Sequence, residues 1–173
     1  YPCESITFLG LGRSTDITTR KMRTAFETFA KENKVAKTFV AREAVTASID
    51  VHKVANLFAE AYGIGSYKEL AFGKVYEEPA KVEIIAPETD ILADVEKGKA
   101  YAQGVNTARR LADTPANQMT AEHLAKEAQI LASQYENLEC EILDKAALEE
   151  IGAGGILAVN QGSNIPPYMI VLK

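Results

Sequence analysis

The 173-residue chain predicts an α/β fold in two parts, and three observations carry that reading. Short apolar runs rich in β-branched residues alternate with longer stretches whose apolar residues recur every three or four positions. Glycine, proline and helix-capping residues fall at the junctions. A long stretch over 88–111, with no proline and only Gly98 and Gly104 as breaks, then separates an earlier α/β pattern from a later one.

Taken in order, Ser5-Ile-Thr-Phe-Leu-Gly-Leu-Gly12 reads as a buried strand with a tight exit. Thr15 or Asp16 can cap a helix over 18–34, in which Met22, Ala25, Phe26, Phe29 and Ala30 share one side. Residues 35–41, rich in β-branched and aromatic side chains, form the second strand. Asp50 caps the next helix, with Val54, Leu57, Phe58 and Ala61 facing inward and Gly63 closing it. After the loop over 63–75, residues 81–86 form a third strand bracketed by Pro79 and Pro87. Strand and helix in alternation imply parallel pairing.

The stretch 88–111 predicts a connector helix between two regions. Beyond Thr114-Pro115, Thr120 caps a helix to about residue 135 that buries Leu124, Ala128 and Leu131. Residues 139–143 are a strand, 145–151 and 155–159 short helices, and 168–172 a final strand after Pro166-Pro167. The expected organisation is therefore 1–87, a connector over 88–113, and 114–173.

Composition excludes several classes. The hydrophobic share of 47% and charged share of 25% are those of an ordinary globular protein. Cys3 and Cys140 are too few for a disulfide framework and read as reduced thiols. No apolar run approaches the ~18–20 residues that span a bilayer, and no signal peptide opens the chain, so the expectation is a cytoplasmic protein without membrane contact. The start at Tyr1, on an apolar run and without Met, reads as a cut or processed piece. Residues 1–75 carry 11 Lys+Arg against 8 Asp+Glu, whereas residues 76–173 carry 8 against 16. That asymmetry argues against a nucleic-acid binder as a whole.

Hydrolytic chemistry needs a nucleophile, a metal or a poised acid–base pair. The two histidines, His52 and His123, lie far apart in sequence, each in the first turn of a helix, and read as surface residues. Gly162-Ser163 lacks the glycine spacing of a nucleophile elbow. Phe8-Leu-Gly-Leu-Gly12 could face an anion, but Ser14 and Thr15 stand where the third glycine of a dinucleotide fingerprint would fall. Arg13, Arg20, Lys21, Arg23, Lys31 and Lys34 form a basic stretch that Glu27 and Glu32 dilute. The adjacent acids Glu77-Glu78 and Glu149-Glu150 read as solvated. No catalytic, cofactor-binding or metal-binding side-chain set emerges.

A series of short blocks, in one order, resembles the leucyl aminopeptidase (cytosol aminopeptidase) family. These are Leu9-Gly-Leu-Gly12; Ala61-Tyr-Gly-Ile-Gly-Ser-Tyr67, from whose family pattern Tyr62 departs; Gly104-Val-Asn-Thr-Ala-Arg109; and Thr114-Pro-Ala-Asn-Gln-Met-Thr120, the most specific. Leu143-Asp-Lys145, the glycines of 152–155 and Ala158-Val-Asn-Gln-Gly-Ser163 complete it.

The resemblance implies a partial amino-terminal α/β region similar to macro domains, a connector helix, and the first α/β elements of a catalytic domain whose metal-binding part is missing here. It implies an enzyme, usually a homohexamer, that releases amino-terminal residues from peptides with two divalent metals, manganese or zinc. This stretch alone is then expected to be inactive and to hold neither metal. In some members an extra metal sits on main-chain oxygens of the turn matching Leu111, Ala112 and Thr114, which makes those three the candidate accessory site. Two further readings are a stand-alone macro-like nucleotide- or DNA-binding module, against which the acidic second half argues, and an oligomerisation scaffold.

Overall fold

The computed structural model describes residues 6–33, 35–68, 80–87 and 89–173. Cys3, Ser5, Lys34, Glu77, Glu78 and Pro79 lie outside the described residues, as does most of the loop up to Val75. The chain forms two compact units, Tyr1–Arg110 and Leu111–Lys173.

In the first unit, α1 (Thr19–Glu32) begins where the Thr18 hydroxyl accepts from the amide of Lys21. The cap is thus Thr18; Ser14–Asp16 instead form a 3₁₀ turn ahead of it. Met22, Phe26 and Ala30 face inward at helical spacing. Strand β1 (Lys37–Val40) pairs in parallel with β2 (Val82–Ile85), Lys37 opposite Val82 and Val40 opposite Ile85. Parallel strands need a crossover, and α2 (Val51–Gly65) supplies it, capped by the Asp50 carboxylate on the amide of Lys53.

The core gathers Met22, Phe26, Ala41, Ala44, Ile49, Val54, Leu57, Phe58 and Ala61. Phe58 stacks on Phe39 with ring centroids 3.8 Å apart, and Phe26 meets Phe58 edge-on at 5.0 Å. Each such ring removed from water stabilises the unit by about 1.5–3 kcal/mol. At the core's edge the Tyr62 hydroxyl donates to the carbonyl of Ala80 at 2.6 Å and accepts from Asn33 Nδ2 at 3.1 Å.

Two expectations fail here. Residues 6–12 form no strand: Ile6 and Phe8 are 69% and 91% exposed, and only Leu9 and Leu11 reach the core. An apolar run becomes a strand only with a hydrogen-bonding edge beside it, and among the described residues none pairs with this one. Gly63 does not end α2, which continues to Gly65. Its hydrogen faces α3 (Leu92–Asp113), where an added Cβ would lie 2.6 Å from Ala102 Cβ. The glycine marks a close helix approach.

Helix α3 runs unbroken through Gly98 and Gly104. Gly98 is buried against α2, since a Cβ there would meet the Asn56 carbonyl oxygen at 2.4 Å.

In the second unit, α4 (Ala121–Ser133) lies against an antiparallel pair, β3 (Cys140–Leu143) and β4 (Met169–Leu172). Reciprocal bonds between the main chains of Glu139 and Lys173, at 2.9 and 3.0 Å, extend the ladder. Two short helices, α5 (Lys145–Glu150) and α6 (Gly154–Val159), fill the connection, the first capped by Asp144. The buried face of α4 is Ala125 and Ala128, with Leu124 and Leu131 exposed. Two apolar stripes compete on this helix, and the one made of small side chains permits the closer approach to the strands.

Candidate functional site

Three of the sequence blocks singled out above, Ala61–Tyr67, Gly104–Arg109 and Thr114–Thr120, lie at two places, the end of α2 and the end of α3. A helix leaves its last carbonyls without helical donors. At α2 the residues just after the helix supply some donors and α3 supplies two more, one turn apart: Asn106 Nδ2 donates to the Gly63 carbonyl at 2.9 Å, and Arg109 Nη1 to that of Ile64 at 3.0 Å. The Arg109 guanidinium also sits 5.8 Å from the centre of the Tyr67 ring, within cation–π range. Its charge lies at the negative end of the α2 dipole. The Asn106 Oδ1 atom is buried without a hydrogen-bond partner among the described residues. The segments Ala61–Tyr67 and Gly104–Arg109, separate in sequence, thus meet as one helix-end clamp.

The second place is the bend after α3. The Pro115 carbonyl accepts from the amides of Gln118, at 2.8 Å, and Met119, at 2.9 Å. These main-chain bonds to Pro115 close the bend. Thr120 then caps α4, its hydroxyl accepting from the amide of His123 at 3.3 Å and lying 2.9 Å from His123 Nδ1. His123 is therefore part of a cap. Leu111 and Ala112 stand in the last turn of α3, and Thr114 directly follows the helix. The turn brings these three within a short arc, and the carbonyls of the last helical turn point beyond the helix end.

The other polar candidates are placed as follows. His52, in the first turn of α2, has Nδ1 2.7 Å from Asp94 Oδ2 in the first turn of α3. Arg23 of the basic helix turns onto Glu60 at 3.1 Å, and Lys21 Nζ onto the Asp16 carbonyl at 3.0 Å. Neither side chain stands ready for a phosphate. Glu149 lies 3.9 Å from Lys145 on α5, an exposed pair. Phe8, Gly10 and Gly12 are exposed while Leu9 and Leu11 turn to the core, with Gly12 at φ +89° and no space restriction around Gly10. Cys140 is a free, half-buried thiol on β3. Among the described residues no three His, Cys, Asp or Glu side chains are arranged to hold a metal ion. No described helix is long and apolar enough to cross a membrane.

The clamp was not legible as such in the sequence. Asn106 and Arg109 fall three positions apart on a helix, a spacing that places them on one side, but nothing in the residues named α2 as the acceptor.

Residues 106–173 match the model of the cytosol aminopeptidase family, catalytic domain. A probable cytosol aminopeptidase of Bacillus subtilis is 37% identical over 178 residues, covering 97% of this chain and 35% of the relative. A bottromycin maturation enzyme, solved in complex with Mn, is 25% identical with a TM-score of 0.82, over 95% of this chain and 35% of that one. A mutant of tomato leucine aminopeptidase shares the fold at 24% identity, with a TM-score of 0.81 over 94% of this chain and 34% of that one. The chain thus spans about a third of the length of the curated relatives it matches.

Proposed function

Because this chain belongs to the leucyl aminopeptidase (cytosol aminopeptidase) family, a family of peptidases, we propose that it is part of an enzyme that releases amino-terminal residues from peptides in the cytoplasm. The observation that carries this reading is the match of residues 106–173 to the catalytic-domain model. Family members of this kind imply two divalent ions, and the bottromycin enzyme was solved with Mn. The described residues do not fit such a centre, because no three ligating side chains among them converge. In this reading the metal ligands belong to the part of the relatives' length that these residues do not match.

The contribution of the residues in hand is positional. Asn106 and Arg109 fix α3 on the end of α2, and the Pro115 bend with the Thr120 cap starts α4 within the region that matches the catalytic domain. An accessory cation on the main-chain oxygens of Leu111, Ala112 and Thr114 belongs to the same reading, oxygen ligands suiting a hard ion. So does a homohexamer for the full-length product.

Hydrolysis of leucine p-nitroanilide with added Mn²⁺ or Zn²⁺ tests the proposal. The 173-residue chain is expected to be silent and the full-length product of its gene active. Turnover by the 173 residues themselves would overturn the positional role. An inactive full-length product with either ion would overturn the peptidase reading.

A further inference from the structure

The N-terminal turns of α2 and α3 are tied together at one small polar cluster. His52 Nδ1 and Asp94 Oδ2 are 2.7 Å apart, joining the first turn of one helix to the first turn of the other. Asn56 Nδ2 donates to the Asp94 carbonyl at 3.1 Å, and Asp90 Oδ1 accepts from the amide of Leu92 at 3.0 Å. The same turns of α3 have a second role. Asp90, Ile91, Leu92, Val95, Glu96 and Lys99 form one wall of a groove of about 630 Å³ whose other wall is β2 and the turn after it.

A protonated imidazole beside a helix N-terminus is opposed by the helix dipole. Three carboxylates offset it here: Asp94 on α3, Asp90 in the turn before α3, and Asp50 at the cap of α2. A charge-assisted hydrogen bond is roughly twice as strong as its neutral counterpart. We infer that His52 and Asp94 form a pH-sensitive clasp that fixes the first turn of α3, and with it one wall of the groove beside β2.

The hydrogen bond to Asp94, followed by the charges of Asp94, Asp50 and Asp90, holds the His52 pKa above the usual histidine range. A raised pKa in the folded state means that the stabilisation is complete below about pH 6.5 and is lost as pH rises through the folded value. The α2–α3 contacts at Gly98, Gly63 and Asn106 carry no titratable group. The effect is therefore confined to the helix start.

Amide hydrogen exchange of the 173-residue chain, corrected for intrinsic rates, at about pH 6 and about pH 8 tests the clasp. Protection over residues 92–98 is expected to fall about two- to fivefold at the higher pH, the range an exposed ion pair supplies. Both His52→Gln and Asp94→Asn should show the lower protection at both pH values, with α1 amides unchanged as the check on folding. Constant protection in the native chain, or the same fall in His52→Gln, would overturn the inference.

Discussion

Arg109 Nη1 donates to the carbonyl oxygen of Ile64 at 3.0 Å, so a side chain of α3 completes the end of α2. Asn106 does the same for Gly63 one turn earlier. Removing either takes away the shorter bond to its carbonyl, leaving Gly63 with the Ser66 hydroxyl at 3.3 Å and Ile64 with the Tyr67 amide at 3.4 Å, so part of the desolvation penalty of that group then counts. Arg109→Ala and Asn106→Ala are each expected to lower stability by about 1–2 kcal/mol, read from the midpoint of urea denaturation at unchanged slope. Arg109→Lys should recover part of the loss, because an ammonium can reach the carbonyl but not stack on Tyr67 as a planar group.

The two glycines inside α3 should respond in opposite directions. A Cβ at Gly98 would lie 2.4 Å from the Asn56 carbonyl oxygen and 2.8 Å from Ala59 Cβ, whereas Gly104 has nothing within 4 Å. Gly98→Ala should cost about 1–3 kcal/mol by forcing the helices apart. Gly104→Ala should gain up to about 1 kcal/mol from helix propensity alone. Thermal unfolding of the pair checks this, and equal shifts would contradict the close approach.

At the bend after α3 the test is between a side chain and the main chain. Thr120→Ala removes the cap of α4 and should cost about 1 kcal/mol. Asn117→Ala should move stability by less than about 0.5 kcal/mol, since the Pro115 carbonyl closes the turn. A larger loss at Asn117 in chemical denaturation would assign the bend to that side chain.

Tyr62→Phe isolates one hydroxyl. It strips the Ala80 carbonyl of its donor and Asn33 Nδ2 of one acceptor while leaving the ring stacked near Phe58. A loss of about 1 kcal/mol is expected, with the near-ultraviolet spectrum of the aromatic cluster otherwise retained.

Local patterning carried most of the fold. The inward faces of α1 and α2 were readable because Met22, Phe26, Val54, Leu57 and Phe58 repeat at helical spacing with no rival stripe. The caps Asp50 and Thr120 were readable for the same local reason, as a capping oxygen needs only its own next turn. What failed depended on distant partners. Residues 6–12 have strand composition, yet strand formation is decided by an edge elsewhere. Gly63 looked like a helix stop because its true neighbour, Ala102, lies far along the sequence. In α4 the leucine and alanine stripes are nearly equal in apolar character, so only the packing surface chooses between them. The site followed the same division, since the Asn106–Arg109 clamp depends on two helices meeting.

The two units also bury their side chains unequally. The first encloses several aromatic and aliphatic groups, while in the second Leu148, Ala125 and Ala128 are the buried hydrophobic residues among those described, and Val159, Ile151 and Ile130 stand open. Opening free energy within one chain follows local burial. Limited proteolysis should therefore strike the second unit first and leave a resistant amino-terminal product ending within or soon after α3. Spectroscopic melting of the whole chain should lose its carboxy-terminal helices ahead of its aromatic signal, and a single transition temperature would describe neither event.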